Sequence, residues 1–181
     1  MTPAARAAAG RPRPWWFLAA VVGWTWAFLW PATLTGQPWL AYPTVLLTIA
    51  GMLGPLVVTA GFVAAGWWHA PPRAFWRRAL DPRSVAPRRY VIALSLAVVL
   101  AGAPLVWTAL TRGAAPWSLV AGSGPVTFLL VGLLAGIVEE PAWRGYAQNA
   151  LQRRLPAAGA ALVVGVFWAL WHLPLFYLEG T

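Results

Sequence analysis

Cysteine is absent from this 181-residue chain, and with it every disulfide, thiol nucleophile and thiolate metal site. Lysine is absent too, so all 13 basic residues are Arg. There are four acidic residues and two His, and charged residues make up 9% of the chain, against about 25% in a soluble globular domain. So little charge excludes an ordinary soluble fold. What is there instead is apolar: 60% of residues are hydrophobic, 14 are Trp, and apolar runs of about 20 residues recur, the composition of membrane-spanning helices. The net charge of +9 sits in short Arg clusters between those runs, a distribution that fixes membrane topology rather than one that grips nucleic acid. No nucleic-acid partner is expected, and membrane lipid is.

Residues 1–14, with Arg6, Arg11 and Arg13, are basic and rich in Pro and Ala. Five apolar stretches follow: Trp15 to about Leu34, about Leu40 to Trp68, Tyr90 to Leu110, Val126 to about Gln148, and Ala157 to Leu178. The first exceeds the apolar length of a signal peptide and ends in no sharp cleavage site, so it reads as a retained helix. The second is long enough to tilt or to break at Gly51, Gly54 or Pro55. The expected fold is therefore an all-α, polytopic membrane bundle with five transmembrane helices. Residues 15–124 would hold three spans without a polar motif, and residues 125–181 the part that carries the chemistry. Six Arg lie between residues 70 and 89, and Arg153 and Arg154 lie between the last two stretches. Residues 35–39 carry no Arg, and 111–125 carry only Arg112. Alternation then places the N-terminus, the 70–89 loop and the 149–156 turn in the cytoplasm, and Glu179 outside. His69 and Asp81 read as residues of the interface and loop.

An ionisable group inside a span costs about 3 kcal/mol on insertion scales and is by default a functional hypothesis. Four such groups need explaining: Glu139, Glu140 and Arg144 on the fourth stretch, and His172 on the fifth. Glu140 and Arg144 are spaced for an i,i+4 ion pair. Gly132 and Gly136 continue the same stripe and would let a neighbouring helix come close. Ala161, Gly165, Trp168 and His172 share a face of the next helix. Glu140 precedes Pro156 by as many residues as His172 follows it, so a hairpin turning there brings the two level. Pro141 and Pro174 each remove an amide, and each clashes with a carbonyl four residues earlier, Ile137 and Leu170 respectively, so both helices should be distorted at the cluster. Broken backbone in a membrane is tolerated where it lines a wet cavity.

Such a cluster suits attack by water: Glu139 or Glu140 takes the proton, while His172 orients the water or donates to the leaving group. An open three-ligand metal site on Glu139, Glu140 and His172, for zinc or a similar divalent ion, is a second use of the same residues. No His-Glu-x-x-His is present. The bland alternative is a buried Glu140–Arg144 pair with His172 as a packing residue.

The run Glu139-Glu140-Pro141-Ala142-Trp143-Arg144 resembles the EExxxR signature of the CPBP intramembrane proteases, the family of type II CAAX prenyl endopeptidases and bacteriocin-processing or self-immunity proteins. The run Phe167 to Pro174 resembles that family's FxxxH signature, with Trp168 standing where Phe is usual, four residues before His172. The resemblance covers roughly residues 125–178. It implies an endopeptidase of the bacterial cell membrane, labelled a metalloprotease, that cuts a membrane-associated peptide or protein. It also implies a role for each residue: Glu139 activates water, Glu140 is its partner, Arg144 holds the glutamate pair and His172 helps orient the water. Family members carry a further His, with Asn four residues later, that binds the developing oxyanion. No His-xxx-Asn occurs in this chain, which is therefore expected to be the N-terminal part of such an enzyme, truncated at its C-terminal side. A membrane immunity or scaffold protein that binds a peptide without cutting it is the alternative, and a transporter subunit a third reading.

Overall fold

The computed structural model describes residues 10–84, 86–113 and 125–180. Every element among them is helical: α1 (Pro14–Thr33), α2 (Thr44–Met52), α3 (Gly54–Ala64), α4 (Pro72–Leu80), α5 (Pro87–Arg112) and α6 (Pro125–Glu140). A π-helical segment (Pro141–Gln148) and a short α-turn (Asn149–Leu151) continue α6. Helix α7 (Ala157–His172) then ends in a 3₁₀ segment (Leu173–Tyr177). The chain forms two compact units, Met1–Leu80 with Gly136–Thr181, and Asp81–Ala135.

In the second unit, α5 starts at Pro87, whose missing amide costs nothing in a first turn. It stops at Gly113, which adopts the left-handed conformation with φ 62°. Val91, Ile92, Leu94 and Leu96 on α5 are all exposed.

In the first unit, α1 buries Phe17, Leu18, Val21, Thr25, Leu29 and Ala32, a stripe at helical spacing, while Trp15 and Trp16 stay exposed. The α2–α3 pair packs on that stripe through a close approach. A Cβ on Gly54 would lie 2.6 Å from the Trp24 ring and 2.7 Å from Thr25 Oγ1. Buried polar groups are bridged across helices. Trp171 Nε1 of α7 donates to Thr25 Oγ1 at 2.7 Å, and Thr25 Oγ1 donates to the Gly51 carbonyl at 2.8 Å. Pro174 removes the amide that would bond the Leu170 carbonyl in a continued helix; that carbonyl instead accepts from Trp26 Nε1 at 2.9 Å.

Contacts collect at two ends of this unit. At one, the Arg13 amide donates to the Tyr146 hydroxyl at 3.2 Å, Tyr146 donates to the Trp67 carbonyl at 2.5 Å, and the Arg13 guanidinium lies over the Trp67 ring. At the other, the Trp39 amide donates to the Glu179 carbonyl at 2.9 Å. Arg13 and the segment after α3 thus share an end of this unit.

The structure modifies three expectations. By length and composition, two described helices can cross a membrane, Pro14–Thr33 and Ala157–Tyr177, or three if the α2–α3 pair, bent by 42° at Leu53, counts as one span. Five were expected; Pro141 limits α6 to 16 α-helical residues. The 70–89 segment is more than a loop, since α4 occupies nine residues of it. No described atom comes within 4 Å of a Cβ built on Gly132, Gly136 or Gly165, so the glycine stripe receives no helix from the described part of this chain.

Candidate active site

The site begins with Pro141. With no amide to give, Pro141 ends the α-helical ladder after the two glutamates, and the backbone runs on to Gln148 in π form, a wider turn with i→i+5 bonding. Pro141, Ala142, Trp143, Tyr146 and Ala147 of this segment are buried, and Tyr146 stacks on Phe17 with ring centroids 4.1 Å apart. At its end Asn149 Nδ2 donates to the carbonyls of Arg144 and Gly145, at 2.7 and 3.1 Å. The anchored segment fixes the direction of the motif side chains that flank it.

Glu140 and Arg144 form the expected ion pair, at 3.1 Å, with side chains 52% and 55% exposed. Among the described residues the pair is thus half-exposed. Glu139 points elsewhere: its Oε2 accepts from Trp168 Nε1 at 2.9 Å. Trp168 also gives its backbone carbonyl to His172 Nδ1, at 2.9 Å, and its ring meets the His172 ring edge-on at 4.8 Å. Because a carbonyl can only accept, Nδ1 is the donor, and in the neutral imidazole Nε2 keeps its lone pair. The Arg144 guanidinium lies over the same indole, 5.8 Å from the ring centroid.

Trp168 thus touches three of the four motif residues. Sequence reading treated it as a conservative replacement for Phe and missed the indole N–H as a donor; its place four residues before His172, on the same helical face, was the available signal. The level of the hairpin also differs from the count about Pro156. The count sets Glu140 level with His172; in the structure the helical run ends at Leu151, twelve residues after Glu139, α7 starts at Ala157, eleven before Trp168, and Glu139 meets Trp168. His172 is tied in one turn further along, through the Trp168 carbonyl.

The three residues considered as metal ligands are not gathered. Glu140 is turned to Arg144, Glu139 to the Trp168 indole and His172 Nδ1 to a carbonyl, and among the described residues no group of three His, Cys, Asp or Glu is placed to hold a metal ion. The donor set present therefore does not fit the expected metal site.

On the α4 side of the ion pair lies a cavity of about 380 Å³, lined by Trp68, His69, Phe75, Arg78, Glu140 and Arg144 among others. His69, read from sequence as an interface residue, is part of its wall. Burial, followed by the positive charges of Arg153 and Arg78, pushes the His69 pKa below its ordinary value.

Comparison with known proteins agrees with the motifs. Residues 121–180 match the sequence model of the family described as type II CAAX prenyl endopeptidase Rce1-like. Over 57 residues the chain is 47% identical to CAAX prenyl protease 2 of Methanococcus maripaludis; the match covers 32% of this chain and 20% of that protein. The chain spans about a fifth of the length of this curated relative. The relative is archaeal, so the likeness does not carry the expected bacterial source. The region that holds Glu139, Glu140, Arg144 and His172 lies within the part of the chain that is similar to type II CAAX prenyl endopeptidases.

Proposed function

We propose that the protein is an intramembrane endopeptidase that cleaves a membrane-associated peptide or protein with water activated by Glu139. One observation carries the reading: within the Rce1-like segment, Trp168 holds Glu139 by one carboxylate oxygen and His172 by Nδ1. Each is left with one accepting atom, Glu139 Oε1 and His172 Nε2. A water that donates to both has its own lone pair free to attack a peptide carbonyl, and Glu139 takes the proton as the new C–O bond forms. The proton then passes to the leaving amine as the C–N bond breaks. Glu140 and Arg144 act in support, as an ion pair that fixes the π-helical turn beside the base.

In the same reading the site faces the cytoplasm of the cell that makes the protein. The end of the first unit that holds Arg13, α4 and Arg153 carries the excess of Arg, in keeping with the positive-inside rule.

The test uses the full gene product in detergent with a farnesylated peptide ending in a CAAX sequence, followed by mass spectrometry. Wild type is expected to release the C-terminal fragment and Glu139→Ala to release none above background. Cleavage by Glu139→Ala at the wild-type rate would refute the assignment of the base. Binding of the peptide by wild type without cleavage would favour the scaffold reading instead.

A further inference from the structure

The cavity beside the ion pair has a charge pattern that the proposed hydrolysis does not use. Glu140 is already balanced by Arg144 at 3.1 Å, so the Arg78 guanidinium contributes a positive charge to the lining that no carboxylate of the lining offsets. Arg153 lies outside the lining and acts on His69 only through its charge. His69 Nδ1 is buried and has no hydrogen-bond partner among the described residues. Asn149 also lines the cavity, but its amide donors are spent on the Arg144 and Gly145 carbonyls. What remains is the Arg78 guanidinium, the His69 imidazole and a wall of Trp68, Phe75, Ala70, Ala74 and Ala79. That combination suits one anionic group attached to an uncharged body.

The surroundings say where such a ligand would come from. Helix α4 is amphipathic: Phe75 is 4% exposed and packs inward, Arg78 lines the cavity, and Arg73 and Arg77 are exposed outside it. Trp15 and Trp16 are exposed at the same end of the unit, next to Arg13, as aromatic side chains are at the level of lipid headgroups. A volume of about 380 Å³ greatly exceeds that of an inorganic anion. We propose that this cavity seats the phosphodiester headgroup of an anionic phospholipid from the adjoining leaflet, with Arg78 and His69 on the phosphate oxygens. The site shares the Glu140–Arg144 pair with the hydrolytic reading, but Glu139, bonded to Trp168, is not in its lining.

The test is native mass spectrometry of the full chain in a non-ionic detergent with equal amounts of phosphatidylglycerol and phosphatidylcholine of the same acyl chains. Wild type is expected to favour phosphatidylglycerol by about tenfold, and Arg78→Gln to lower that preference about fivefold, the effect of one basic contact at a membrane surface. Arg73→Gln removes the same charge from the same helix outside the cavity and should change the preference by less than about twofold. His69→Ala serves as a second variant and should lower the preference by about twofold to threefold, with circular dichroism checking that each variant is folded. An unchanged preference in both Arg78→Gln and His69→Ala would overturn the site. Equal losses in Arg73→Gln and Arg78→Gln would overturn it in favour of diffuse attraction. Displacement of the lipid by inorganic phosphate at the lipid's concentration would overturn it in favour of a free-anion site.

Discussion

Trp168 donates its indole N–H to Glu139 at 2.9 Å, and its own carbonyl accepts from His172 at 2.9 Å, so one residue sets the position of both the carboxylate and the imidazole. Trp168→Phe keeps a ring against His172 and removes only the indole donor. We expect kcat for peptide cleavage to fall about tenfold to a hundredfold with KM nearly unchanged, as when a reacting group is merely misplaced. Steady-state kinetics on a cleaved peptide measure it; a rise in KM at constant kcat would assign Trp168 to substrate binding instead.

The Tyr146 hydroxyl joins three segments, accepting from the Arg13 amide and donating to the Trp67 carbonyl while its ring stacks on Phe17. Tyr146→Phe keeps the stack and leaves the Trp67 carbonyl without this donor. A loss of about 1–2 kcal/mol in unfolding free energy is expected, and denaturant unfolding in micelles would measure it.

Two glycines should respond in opposite ways. An added methyl at Gly54 meets Trp24 and Thr25 under 3 Å away, and Thr25 carries the Trp171–Thr25–Gly51 relay, so Gly54→Ala is expected to cost about 1–3 kcal/mol. At Gly165 nothing described lies within 4 Å, and Gly165→Ala, within a helix, is expected to be neutral or to stabilise by up to about 1 kcal/mol. Thermal denaturation of the two variants side by side decides it.

How far these relationships could be read in advance depended on their range. The i,i+4 spacing of Glu140 and Arg144 and the missing amides of Pro141 and Pro174 are local facts, and the structure has the ion pair, the π segment and the 3₁₀ segment where they fall. The bond from Tyr146 to Trp67 and the wall that α4 gives to the cavity join residues far apart in the chain, and no spacing rule foretells them. The break of the second stretch at Leu53 falls beside the expected Gly51, Gly54 and Pro55, whereas its 42° angle was not legible in apolar composition. The metal reading depended on residue types alone, and the bonds that turn Glu139, Glu140 and His172 to different partners were not legible there.

His69 gives the fold a pH dependence with a definite sign. Burial, then Arg153 and Arg78, disfavour its protonated form in the folded chain, so the unfolded chain takes up the proton at higher pH. The stability due to neutral His69 is full above the ordinary value of 6.5 and is lost as pH falls through it towards the lowered folded value. We expect the thermal midpoint to drop between about pH 8 and about pH 5, and His69→Gln to remove part of that drop. A slope unchanged by His69→Gln would place the titrating group elsewhere.

The most direct test of the chemistry compares Glu139→Gln with Glu140→Gln in the full gene product, reading kcat on a cleaved peptide and Kd for an uncleaved analogue. If Glu139 is the base and Glu140 the partner of Arg144, Glu139→Gln lowers kcat by about 10²–10⁴ with Kd unchanged, while Glu140→Gln lowers kcat by about tenfold or less. A wild-type rate in Glu139→Gln, or a larger loss in Glu140→Gln, would contradict that assignment.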